Sequence, residues 1–471
     1  MQDSHSQLTT TLTTTRQRLL LLIAAAFTAA LLVVLIAWGY TPTNDGEGYI
    51  ESARQCLDQG QPYPTLATYR SEPFVWNVGF INLVELSLWL CGSLWPLLAT
   101  LCLMKGATAL FMALTANRLL GFKAALAALI LFVAYPNNWG QSTMLASEIP
   151  STFLAVAATY IVVRTSQSAC AEPTPRRSLR LSSCGAVSPR LLLLLAGLIL
   201  GLANWMRPTA TIFLLSTALY IILTWRSHRT AAVALLVAGY VLFITTVGTA
   251  CHWRTGHFVY QARSYWFSMV DECYDQASPA PHWNQPVWPK GTPRYIDHRE
   301  GMDCFDYERI WRQRSLDWLA SHKLQYLSKL PARLYYMYRN DYDNLAAFIP
   351  DKRNPAANYI TLPFRNILHE ASSLNAVQLL ALIATLFYYA LLLLAAVGTV
   401  ATLRSTRRQS SCGAVFPRLP LLLPLAIVVG GTLALIAVMH GEPRFKDPLM
   451  PYLFLLAGAV VTISQKPHKT H

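Results

Sequence analysis

Ten stretches of this chain are apolar for about as long as it takes to cross a bilayer, near 19–39, 94–116, 124–143, 148–163, 191–206, 209–225, 231–250, 376–403, 419–439 and 447–463. Inside a membrane no water can satisfy a backbone N–H or C=O, so spans of this kind have to be helices. Composition agrees. Only 13% of the 471 residues are charged, against about a quarter in soluble globular proteins. The expected fold class is an all-α polytopic membrane protein of about ten transmembrane helices. The net charge of +14 does not point to nucleic acid, because the basic residues lie in short clusters between apolar stretches rather than on one face.

Those clusters give an orientation. Arg16 and Arg18 precede the first span. If the spans alternate, Arg118 with Lys123, the group from Arg164 to Arg190, Arg226 with Arg229, the group from Arg404 to Arg418, and Lys466 with Lys469 all fall on the same side. Cytoplasmic loops are enriched in Lys and Arg, so both termini are expected in the cytoplasm. The first span is too long for a signal-peptide core and reads as a retained anchor. Compact loops and the lack of eukaryotic retention signals favour a bacterial inner membrane.

Two outward segments are longer than turns, at about 40–95 and 251–375. They suggest a catalytic membrane module at 1–250 that includes the outer loop 40–95, an extracytoplasmic domain at 251–375, and C-terminal membrane helices at 376–471. Within the first loop, Phe74 to Cys91 is apolar but interrupted by Asn77, Asn82 and Glu85, which suits an interfacial helix. In the second, Trp283, Trp288 and Tyr295 among prolines would bind sugar rings or, as the more frequent case, anchor the chain at the interface. Cys273 and Cys304 would be bridged or free, with Cys56 a competing partner. Asp341 and Asp343 form a DxD pair of the kind usually found in a solvated loop. The decapeptide at 182–191 returns almost unchanged at 410–419, and nothing physical accounts for the echo.

The most informative stretch is Thr43 to Leu57, directly after the first span. Acidic residues at the mouth of a membrane bundle are costly and mark functional sites. Asp45 and Glu47 stand there in a glycine-rich helix entry, followed by Tyr49; the plain alternative makes Asn44 or Asp45 a helix cap with Glu47 supporting the first turn. Further on come Tyr69-Arg70-Ser71-Glu72-Pro73, Ala134-Tyr135-Pro136, Ser147-Glu148-Ile149-Pro150, Asn204-Trp205-Met206-Arg207-Pro208 and His440-Gly441-Glu442-Pro443-Arg444-Phe445.

In order and placement this succession resembles the polyprenyl-phosphate-sugar-dependent glycosyltransferases of the GT-C superfamily, such as protein O-mannosyltransferases and lipid A aminoarabinose transferases. The resemblance covers roughly 16–253, with a further segment at 440–445. It implies a membrane glycosyltransferase that moves a sugar from a polyprenyl-phosphate donor to a glycan, lipid or protein acceptor on the extracytoplasmic side, with inversion. It places the catalytic carboxylate on Asp45, with Gly46 where a second acid often stands and Glu47 one place later as the competing base. Arg207, Arg444, Arg70 and Lys446 would bind the donor phosphate. Glu148, Tyr49 and His440 would orient the acceptor or, for Glu148 with Asp45, help hold a divalent cation; no cofactor is demanded. A transporter or flippase for a lipid-linked saccharide and an O-antigen-ligase-like enzyme are the alternatives.

Overall fold

The computed structural model of the chain describes residues 2–62, 77–170, 188–225, 228–263, 265–274, 295–297, 302–349, 374–410, 421–438 and 441–462. Arg70 and His440, both halves of the repeated decapeptide through 187 and from 411, and Trp283 and Trp288 lie outside them.

Among the described residues there are helices and no strands. In chain order they are α1 (Gln2–Trp38), α2 (Asn44–Gln59), α3 (Val78–Cys91), α4 (Trp95–Leu120), α5 (Phe122–Ala134), α6 (Pro136–Gly140), α7 (Glu148–Cys170), α8 (Pro189–Met206), α9 (Ala210–Thr224) and α10 (Arg229–Thr255). A second group follows, with α11 (Tyr265–Tyr274), α12 (Cys304–Ser321), α13 (Lys323–Ser328) and α14 (Leu330–Tyr338). The chain then returns to the bundle through α15 (Ala376–Ser410), α16 (Leu422–Val438) and α17 (Met450–Gly458).

Among the described residues, seven helices are long and apolar enough to cross a membrane, and α3, α5, α9 and α16 are shorter apolar helices. Each of the ten expected spans therefore has a helix, and α3 takes the place expected of the interfacial segment. The span expected at 124–143 is corrected: α5 stops at Ala134. Pro136 forces Tyr135 out of helical geometry (φ −72°, ψ 115°), and the chain bends through α6 and a tight turn, Gln141–Thr143, before α7 begins. At 1.5 Å per residue α5 rises only about 20 Å, short of the roughly 30 Å of a bilayer core.

Lipid is as apolar as the side chains, so helix association in a membrane depends on close contact more than on burial from water. Gly197 on α8 and Gly239 on α10 face each other, and a Cβ on either would collide with the other helix's backbone. Aromatic edges tie the two ends of the sequence together: Phe132 of α5 meets Phe27 of α1 at 6.0 Å and Phe454 of α17 at 5.2 Å, both edge-on. One core runs through residues of the N-terminal and C-terminal helices alike.

In the second group α11 packs on α12, with Phe267 and Trp311 at 5.4 Å. The group is bolted to the end of α16: Arg333 Nη1 donates to the Ile436 carbonyl at 3.0 Å, and the Tyr326 hydroxyl to that of Ala437 at 2.6 Å. Cys56, Cys273 and Cys304 are all free and buried. Cys273 packs with Trp318 and Tyr326, whereas Cys304 packs with Val78 and Trp205, so the two sit in separate clusters.

Candidate active site

Four residues far apart in sequence meet at one end of the bundle, and local chemistry explains how each arrives. The hydroxyl of Thr43 accepts the Gly46 N–H at 3.0 Å and caps α2. The cap is therefore neither Asn44 nor Asp45, which corrects the plain reading and leaves the Asp45 carboxylate free to turn inward. Arg207 precedes a proline, so it cannot continue α8. Its backbone is extended (φ −163°, ψ 133°) and its side chain swings across to α7. Glu148 opens α7, where a carboxylate suits the positive end of the helix dipole. Arg444 lies in a tight helical segment, Pro443–Leu449, between α16 and α17.

The result is two arginines, each ion-paired with an acid from a distant part of the chain. Arg444 Nη1 meets the Asp45 carboxylate at 2.5 Å, and its Nε lies 2.9 Å from Glu442. Arg207 Nη1 meets Glu148 at 2.7 Å and donates to the Ser147 hydroxyl at 3.2 Å. Phe445 sits between the guanidinium groups, 6.0 Å from that of Arg207 and 5.9 Å from that of Arg444. The two pairs differ in openness. Asp45 and Arg444 keep 28% and 32% of their side chains exposed, whereas Glu148 and Arg207 keep 9% and 12%. Even with that opening to the cleft, the surrounding atoms desolvate Asp45 and push its carboxyl above the usual range; Arg444 opposes the shift, and Glu148 and Glu442 add to it.

The other expected site residues fall differently. Glu47 points away to the rim, where it accepts the Tyr40 hydroxyl at 3.0 Å. Gly46 has no room for a side chain, since a Cβ there would lie 2.7 Å from the Tyr40 hydroxyl oxygen and 2.9 Å from Thr43 Oγ1. Tyr49 is buried, donating to Ser147 at 3.0 Å and accepting from Asn77 at 3.2 Å, and burial pushes its phenol up. It braces Ser147 instead of facing an acceptor. Lys446 is fully buried and its ammonium is occupied, donating to the carbonyls of Asn340 at 2.8 Å and Pro443 at 3.0 Å and lying 3.3 Å from Asp341. A lysine has three N–H donors, so in this arrangement Lys446 has none left for a phosphate.

Next to the ion pairs, with Glu148 common to both, lies a cavity that sequence reasoning missed, lined in part also by Lys105, Gln141, Asp447, Asp341 and Asn137. It has room for water but not for a sugar ring. Lys105 donates to the Gln141 side chain, and Gln141 to Asp447 at 3.1 Å. The DxD pair splits: Asp343 is exposed, but Asp341 is buried and accepts from the Tyr135 hydroxyl and, at 3.1 Å, from Asn137. The expectation of a solvated loop is thus corrected for Asp341. Its partners lie 206 and 204 residues away. The available hint was Tyr135-Pro136 interrupting an apolar run.

A divalent cation does not fit the residues as they stand. Among the described residues, no three acids, histidines or cysteines are grouped to hold a metal, and Asp45 and Glu148 each face an arginine.

No family model matches the sequence, and no curated protein matches it. A solved structure does match the fold: an archaeal oligosaccharyltransferase, AglB from Archaeoglobus fulgidus, in complex with an inhibitory peptide and a dolichol-phosphate. The TM-score is 0.51 at 11% identity, over 95% of this chain and 50% of that one. The chain spans about half the length of that protein.

Proposed function

We propose that this chain, which is built on the GT-C fold, is a membrane glycosyltransferase that moves a sugar from a polyprenyl-phosphate donor to an acceptor on the extracytoplasmic side. The observation that carries the reading is the convergence of a partly open carboxylate, Asp45, with two guanidinium groups at one end of an all-helical membrane bundle. A polyprenyl carrier cannot leave the bilayer, so its phosphate has to be met at the membrane surface. AglB was solved with a lipid phosphate of that class, which supports a lipid-linked donor here.

The chemistry follows from the charges. Asp45, as general base, takes a proton from an acceptor hydroxyl or amine, and that atom attacks the anomeric carbon. The bond from that carbon to the lipid phosphate breaks as the new one forms, so one displacement inverts the centre. Charge builds on the departing phosphate, and Arg444 and Arg207 stabilise it in a partly desolvated site. Arg444 has a part to play at both ends of the reaction, because its fork of five N–H groups can hold the base in place and still reach an incoming oxyanion. Burial keeps Asp45 more basic than a free aspartate, which suits proton abstraction.

In this reading both termini lie in the cytoplasm of a bacterial cell, 1–250 and 376–471 form the membrane module, and 251–375 faces outward. A lipid-linked-saccharide transporter is the second reading. It is favoured by Lys105, a charge ten residues into α4 from Trp95, about 15 Å below the helix's outer end. The discriminating experiment incubates purified wild type and Arg207→Ala with a polyprenyl-phosphate-linked sugar in detergent, where no gradient or second compartment exists. Sugar release by wild type, reduced in Arg207→Ala, fits the enzyme. No release in detergent, with movement of the intact donor across the bilayer once the protein is reconstituted in vesicles, fits the transporter.

A further inference from the structure

Arg444 owes its position to contacts on the far side of its own segment. Pro443–Leu449 is tightly wound at about three residues per turn, so side chains two apart leave on different sides. Arg444 goes to Asp45 and Glu442, and Phe445 packs between the arginines. Lys446 goes the other way, into a pocket where it is completely shielded from solvent. Its ammonium is held by the Asn340 and Pro443 carbonyls and by Asp341, and it lies 4.9 Å over the Tyr388 ring.

Asp341 is itself held independently of Lys446. The Tyr135 hydroxyl and the Asn137 amide donate to it, and the other end of Asn137 accepts the Asn344 N–H at 3.0 Å. The backbones also touch: a Cβ on Gly140 would collide with the Asn344 carbonyl. The stretch 340–344, which belongs to the outer segment, is thus seated on the bend after α5 and offers Lys446 a fixed anion.

We propose that Asp341 and Lys446 form a buried latch whose role is to position Arg444 for the donor phosphate. They are positioning residues and touch no substrate. The proposal rests on the reading of Arg444 as a phosphate ligand. It predicts that losing either half of the latch acts through Arg444. Removing one partner of a buried pair leaves the other charge uncompensated, and the segment then has to move.

The test has an arm that needs no catalysis. In the full-length chain in nanodiscs, with native cysteines replaced by serine, Asp45→Cys and Arg444→Cys are joined by a short bis-methanethiosulfonate linker. Lys446→Met is expected to slow the joining about tenfold, and a rate within about twofold of the parent overturns the latch. Asp341→Asn, nearly isosteric, serves as the second variant if Lys446→Met does not fold, with the same criterion. In the second arm, on the otherwise native chain, Lys446→Met is expected to raise the donor KM about tenfold, and Lys446→Met with Arg444→Ala to be no worse than Arg444→Ala alone within about twofold. Independent multiplication of the two effects overturns the proposal. A purely structural role would lower the melting temperature but leave the linking rate and donor KM of the folded fraction unchanged. If the linking rate drops while wild type consumes no donor, the latch stands and the assigned activity fails.

Discussion

Two neighbouring layers of opposite charges, an upper one at Asp45 and Arg444 and a lower one at Asp341 and Lys446, are built differently. In the upper layer Asp45 and Arg444 are about a third exposed, and Arg444 is shared between two carboxylates. In the lower layer Asp341 and Lys446 have 3% and 0% of their side chains exposed, and each is surrounded by fixed donors or acceptors. Both are ion pairs by distance. A charge that keeps an open side can exchange its partner for a substrate, whereas one whose hydrogen bonds are all made can only hold the protein in shape. Number and direction of contacts, more than the presence of a charge, separate a reacting group from a structural one.

The largest expected effect tests the upper layer. Asp45→Asn keeps the shape of the side chain but removes the base, and transfer should fall by a factor on the order of 10²–10⁴, with the thermal midpoint little changed. In the lower layer the consequence reverses. Lys446→Ala should destabilise the fold by about 3–5 kcal/mol, because it strands the Asp341 charge, and thermal unfolding in detergent will show it. Asp341→Asn with Lys446→Met together should recover much of that loss, since neither charge is then left alone.

A smaller effect concerns pH. Burial raises the Asp45 carboxyl, so the base is lost to protonation, as pH falls, sooner than a free aspartate would be. The acid limb of kcat/KM should therefore lie above the ordinary carboxylate range, and Asp45→Asn should abolish that limb. The sign for stability is opposite. A raised folded pKa means the folded state holds the proton better, so the contribution of Asp45 is full at pH below the unfolded value and is lost as pH rises through the folded one. The smallest effect is expected of Glu47→Gln, which should change transfer by less than about twofold, because Glu47 faces Tyr40 at the rim.

The fold was largely legible in the sequence because bilayer crossing imposes a length and a polarity on each span. Seven of the ten expected spans have helices long and apolar enough to cross, the other three have shorter apolar helices, and α3 covers most of Phe74 to Cys91. What hydropathy could not show was where an apolar run bends. The window at 124–143 averages over Tyr135 and Pro136 and reads as one span, yet the bend there builds the floor of the site.

The site was legible in part for a related reason. Asp45, Glu148, Arg207 and Arg444 stand within two residues of glycine or proline at the ends of apolar runs, and local rules bring them to one end of the bundle. Tyr49 and Lys446 carry the same signals, but their roles depend on partners distant in the chain, Ser147 and Asn77 for one and Asn340 and Asp341 for the other. No local pattern encodes such pairings. Asp341 was misread for the same cause, since a loop acid looks solvated until the bend that covers it is in place.

The account's central claim is that Asp45 is the base at a donor site formed with Arg444 and Arg207. The most direct measurement is single-turnover transfer from a polyprenyl-phosphate-linked sugar by purified wild type and Asp45→Asn, alongside binding of the donor to each. The account predicts that Asp45→Asn still binds donor but transfers at least about 100-fold more slowly. Transfer by Asp45→Asn within about threefold of wild type would contradict it.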